Sequence, residues 1–153
     1  MTSRALRATF LRSEGGRMYS SRRGLDFLER MYFMKTKIKN WLLVFIWAGV
    51  IFFLSHQPDL KSNLPSEYDF ILRKLAHISE YAILTFLLIR ALSRYQLSPK
   101  KIFIFSIFLS ILYAFSDEYH QSFIYERTGA FRDVAIDSIG IFLVWLKKRK
   151  MLL

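Results

Sequence analysis

Cysteine is missing from all 153 residues. That excludes a disulfide framework, a thiol nucleophile and any zinc site built on cysteine. The six glycines form neither GxGxxG nor GxxxxGK[ST], so no Gly-rich phosphate loop is present. Proline occurs only three times, at Pro58, Pro65 and Pro99. Acidic residues are scarce beside basic ones, 12 against 23, for a formal net charge of +11. Extended polar stretches are scarce too. The chain is 53% hydrophobic and contains 15 Phe, which excludes an intrinsically disordered protein.

The basic excess is uneven. Residues 1–33 carry seven Arg, no Lys and three acids, whereas all ten Lys follow Met34. The first 33 residues show no sustained apolar period, and no small-residue cleavage site follows an apolar stretch as in a signal peptide. They are expected to be a disordered basic extension or a mis-assigned start, with the working domain at 34–150. A nucleic-acid-binding tail is not expected, because no soluble domain accompanies it.

The apolar residues that remain fall into four segments, at about 38–55, 71–92, 101–119 and 130–146. Trp41–Leu54 carries no charge, and Ser106 and Ser110 are the only polar side chains between Ile102 and Leu112. A soluble helical bundle needs a polar outer face on each helix; helices that are apolar all round belong in lipid. The expected fold is therefore all-α, an integral membrane bundle of four transmembrane helices. The breaks agree. All three prolines fall between segments. Ser66-Glu67-Tyr68-Asp69 has the form of a capping box, and Ser98-Pro99 offers an N-cap followed by proline at the first helical position.

Charge sets the orientation. Lys35, Lys37 and Lys39, then Arg90, Arg94, Lys100 and Lys101, then Lys147, Lys148, Arg149 and Lys150 all fall on one side of a four-span topology. The positive-inside rule makes that side, and both termini, cytoplasmic. The opposite, extracytoplasmic side collects the three histidines with Glu80, Tyr81, Asp117, Glu118, Gln121, Arg127, Arg132, Asp133 and Asp137. The spacings are helical: Lys74, His77 and Tyr81 share a face, as do Asp117, His120 and Gln121, while Asp133 and Asp137 are one turn apart with Gly140 extending their stripe. Ionisable groups at membrane depth are costly, so these should face inward and pair. Arg73, Lys74, Arg127 and Arg132 nearly balance Glu80, Asp117, Glu118, Asp133 and Asp137.

Four blocks in this order resemble the VanZ-like family of small multi-pass bacterial membrane proteins. Ser55-His56-Gln57-Pro58 resembles its S-x-Q-P ending of the first span. Lys74, His77 and Tyr81 resemble its K-x-x-H-x-x-x-Y block, and Ser116-Asp117-Glu118-Tyr119-His120-Gln121 its S-D-E-x-H-Q signature. Arg127, Asp133, Asp137 and Gly140 resemble its R-x5-D-x3-[ND]-x2-G block; Tyr125-Glu126 stand where the family often has Pro-Gly. The resemblance implies a role in the cell envelope of bacteria, with lowered susceptibility to teicoplanin-type antibiotics.

Three mechanisms fit these residues. In the first, Arg73, Lys74, Arg127 and Arg132, with Tyr81, Gln121, Asp133 and Asp137, bind an anionic lipid head group, a lipid-linked cell-wall precursor or a glycopeptide at the outer leaflet. Ser55, Gln57 and Pro58 form the first-loop motif. In the second, His77 and His120 act as acid and base, tuned by Asp117 and Glu118, in a membrane-embedded hydrolase or transferase. The third is a small transporter, weakened by the absence of an internal repeat. His56, His77, His120 and the carboxylates are suitable metal-ligand types, but no HExxH-type motif arranges them, so no metal and no cofactor are expected.

Overall fold

The computed structural model describes residues 18–57, 66–124 and 131–148. Among these the secondary structure is entirely helical: α1 Met18–Ser55, α2 Ser66–Leu92, α3 Pro99–Gln121 and α4 Phe131–Lys148. Contacts divide the chain into two units, Met1–Lys39 and Asn40–Leu153. Three helical stretches, Gly24–Ser55, Tyr68–Leu92 and Pro99–Gln121, are long and apolar enough to cross a membrane. The fourth expected span coincides with α4, whose 18 residues include Arg132, Asp133, Asp137, Lys147 and Lys148.

The first helix differs from expectation. It does not begin near Ile38 but at Met18, so residues 18–33, expected to lie outside the fold, are helical. In this first unit Phe27, Leu28, Tyr32 and Phe33 are exposed, the Thr36 hydroxyl donates to the Tyr32 carbonyl, and Lys37 sits over the Phe33 ring. The helix is built from local contacts of this kind, which an apolar-period reading does not register.

Within the second unit, α2 packs on α3 and α4, and α3 packs on α4. Side-chain bonds attach the Asn40–Ser55 part of α1. Asn40 Nδ2 donates to the Arg90 carbonyl at 3.3 Å, Trp47 Nε1 to the Glu80 carbonyl at 3.0 Å, and the Tyr113 hydroxyl to the Ala48 carbonyl at 2.6 Å. As the chain runs from Asn40 to Trp47 in α1 its partners run back from Arg90 to Glu80 in α2, so that pair is antiparallel. The start of α3 is the expected one: Ser98 Oγ accepts from the Lys101 amide, with Pro99 at the first helical position. Of the expected α2 capping box, Asp69 is buried and ion-paired to Arg73 one turn on, at 2.9 Å; the Ser66 side chain lies outside the described residues.

The core consists of Val44, Ile51, Tyr81, Leu84, Leu88, Ala91, Ala114, Val134 and Ile141, with a second cluster of Ile89, Ile102 and Phe103. Small residues bring the helices close. A Cβ on Gly140 would collide with the Ile78 backbone carbonyl, so α4 and α2 touch backbone to backbone there. The polarity of the unit is inverted relative to a water-soluble protein. Phe45 and Phe53 are 67% and 63% exposed, and Ile104, Phe108, Phe142 and Leu143 are also exposed. Thr85, Ser106 and Ser110 are wholly buried. The Thr85 and Ser110 hydroxyls meet at 2.8 Å, while Ser106 donates to the Ile102 carbonyl. With lipid outside there is no hydrophobic drive between helices, and small residues and hydroxyl bonds hold them together.

Candidate functional site

The buried carboxylates, with Ser55 and Gln121, gather where α1 and α3 end and α2 and α4 begin. Two knots form there. In the first, Asp117 Oδ2 accepts from Ser55 Oγ at 2.8 Å and from Gln121 Nε2 at 2.9 Å, and Gln121 also reaches Ser55 Oγ at 3.3 Å. All three side chains are buried. Asp117 and Gln121 stand one turn apart on α3, so both project toward the end of α1. This knot ties the first-loop motif to the S-D-E-x-H-Q block.

The second knot joins α2, α3 and α4. His77 Nδ1 lies 3.5 Å from Asp137 Oδ1 and 4.0 Å from Glu80 Oε2. His77, Glu118 and Asp137 each offer one ligand-type atom, and these atoms lie within 4.8 Å of one another. Glu118 and Asp137 are buried, Asp137 to 1% exposure. Tyr81, also fully buried, stands between the knots, within electrostatic range of both Asp117 and Asp137. Gly140, three residues after Asp137, permits the close α2–α4 approach that brings Asp137 to His77.

The cations occupy the mouth. Lys74 Nζ pairs with Asp133 Oδ1 at 2.6 Å and lies over the Phe70 ring. Arg73 closes on Asp69, and Arg132 is exposed at the start of α4. Of the expected pairings between cations and acids, Lys74 with Asp133 forms, while Arg73 pairs with Asp69, outside the expected set. Arg73 is drawn to a carboxylate one helical turn away instead of the interior acids. Arg127 and Pro58 lie outside the described residues.

The two histidines expected to act together have different partners. His120 Nε2 is 3.2 Å from His56 Nδ1, the two rings stack at 5.4 Å, and Phe52 packs on His120. His77 instead faces the carboxylates. Gln57 turns back onto the Phe53 carbonyl, away from the knots. His56 and Glu80, expected on this side but not among the candidate site residues, lie against His120 and 4.0 Å from His77 respectively. The signal for His56 was present, since it sits inside S-x-Q-P immediately after Ser55.

Chemically, the site offers a fixed hydrogen-bonded carboxylate (Asp117), an imidazole against two buried acids, and cations at the rim already held by carboxylates. A model of the VanZ/LLP1 family matches residues 40–147. No curated protein sequence and no solved structure matches the chain. The matched stretch opens at Asn40, the first residue of the second unit, and contains both knots. By fold, by its apolar spans and by this match, the chain is a membrane protein that belongs to the VanZ/LLP1 family.

Proposed function

We propose that this VanZ-family protein crosses the cell membrane four times with both termini in the cytoplasm. On the outer leaflet it engages the anionic head group of a lipid or lipid-linked cell-wall precursor. The observation that carries the reading is the rim. Lys74 is held by Asp133 and Arg73 by Asp69. Cations fixed by carboxylates lose less side-chain entropy on meeting a phosphate than free ones do. Arg132, and Arg127 in the connection before α4, supply the planar forks that grip phosphate in two places. The exposed apolar face of α4 at Ile139, Phe142 and Leu143 supports a fourth span, and the basic clusters at Lys100, Lys101, Lys147 and Lys148 support a cytoplasmic opposite end. Occupying such head groups is a route to lowered teicoplanin susceptibility, the role the resemblance implies.

Native mass spectrometry of the purified protein tests the reading. The parent is expected to retain anionic lipid, and a Lys74→Ala/Arg127→Ala/Arg132→Ala variant to lose most of it. Equal retention by both removes the proposal.

A second reading is favoured by the convergence of His77 with Glu118 and Asp137. An imidazole against two buried carboxylates is an acid–base arrangement, suited to hydrolysis or transfer on a lipid-linked substrate. Here His77, not His120, is the acting imidazole. A phenotype lost in His77→Ala and kept in His120→Ala, at equal expression, supports this reading; the reverse pattern overturns it.

A further inference from the structure

We propose that His77, Glu118 and Asp137 form a binding site for one divalent metal ion that accepts both imidazole and carboxylate ligands, Zn2+ or Mn2+. The three residues come from α2, α3 and α4, so the site is made only by the folded bundle. One atom from each lies within 4.8 Å of the others. Around a tetrahedral ion with bonds of about 2.1 Å, neighbouring ligand atoms stand about 3.4 Å apart. The His77 Nδ1–Asp137 Oδ1 edge already has that length, at 3.5 Å. At that separation it is an electrostatic contact, not a hydrogen bond; the edges to Glu118, within 4.8 Å, would shorten on binding an ion.

Asp137 supplies the independent reason to expect an ion. It is 1% exposed, and neither carboxylate oxygen has a hydrogen-bond partner among the described residues. Buried carboxylates are ordinarily hydrogen-bonded, paired or bound to metal. Asp117, by contrast, is held by Ser55 and Gln121. A divalent ion neutralises two carboxylates at once. The donor set chooses among ions. Ca2+ and Mg2+ take oxygen ligands alone, and Cu+ prefers sulfur; one imidazole with two carboxylates suits Zn2+ and Mn2+. Three protein ligands leave a fourth position open, as in sites where a metal activates water. The side chain of His77 is 18% exposed, which provides a way in. The proposal stands on this geometry and is independent of the head-group reading.

The test uses the full chain in detergent, stripped with chelator and titrated separately with Zn2+ and Mn2+ by calorimetry. One equivalent is expected to bind the parent. Binding should weaken at least tenfold in Asp137→Asn and in Glu118→Gln, each checked for helicity and monodispersity. It should be unchanged in His56→Ala, which breaks the other histidine pair. Should one carboxylate variant fail to fold, the other decides. Failure of the folded parent to bind either ion overturns the proposal. So does binding that survives a folded carboxylate variant but is lost in His56→Ala. Lipid retention measured on the same samples separates failure of the metal site from failure of the head-group reading.

Discussion

The two ends of the Asn40–Lys148 helices solve the problem of buried polarity differently. At the end where α1 meets late α2, neutral side chains do the joining: Asn40 donates to the Arg90 carbonyl, and Trp41 Nε1 donates to the Tyr95 hydroxyl nearby. Beside them Ile89, Ile102 and Phe103 pack together. At the other end four carboxylates among the described residues, Asp69, Asp117, Glu118 and Asp137, are buried. Neutral amides and hydroxyls suffice to hold helices in register. Buried carboxylates are far costlier and add little that an amide could not, and their concentration at one end is the reason the proposed function is placed there.

The comparison can be broken most severely at Gly140. A Gly140→Val substitution places a branched side chain where even a Cβ meets the Ile78 carbonyl, and separates α4 from α2. The expected loss is about 3 kcal/mol, seen as a large drop in the melting temperature of detergent-solubilised protein. Unchanged melting would refute the backbone-to-backbone packing. Next comes Asp117→Ala, which leaves Ser55 and Gln121 buried without their common acceptor. It should cost about 2 kcal/mol, whereas Asp117→Asn, which keeps one acceptor oxygen, should cost less. Asn40→Ala at the opposite end removes a single bond to a carbonyl, for about 0.6 kcal/mol and no change of phenotype. A lost phenotype there would mean that both ends work. The smallest effect is expected from Asp137→Asn. In chelator it should be as stable as the parent or slightly more so, because a buried charge is removed, while the phenotype is lost. A clear loss of stability would make Asp137 a structural residue like Asp117.

Much of this was legible in the residues. Runs such as Trp41–Leu54 and Ile102–Phe115 located the helices, because an apolar stretch has little alternative in lipid. Ser98-Pro99 marked the start of α3, since capping is a local reaction of backbone and side chain. The shared face of Asp133, Asp137 and Gly140 was readable from helical spacing, and so was that of Lys74, His77 and Tyr81. Partner choice was not. Which histidine faces which acid depends on helix rotation and depth, and periodicity within one helix carries no information on either. The partner of Arg73 is Asp69, one turn before it, a local pairing that the expected set of interior acids did not include. The helical stretch before Lys39 escaped notice because its mixed composition has no apolar period.

The inverted polarity has a practical corollary. The exposed Phe45, Phe53, Ile104 and Phe108 face outward to lipid, whereas Ser55, Asp117, Gln121 and Asp137 are enclosed. Surface and chemistry are therefore written in different side chains of the same helices. Replacing the outward aromatic and aliphatic positions with Glu and Lys, and leaving the interior hydroxyls and Gly140 alone, should yield a detergent-free version that carries the same site into ordinary aqueous assays.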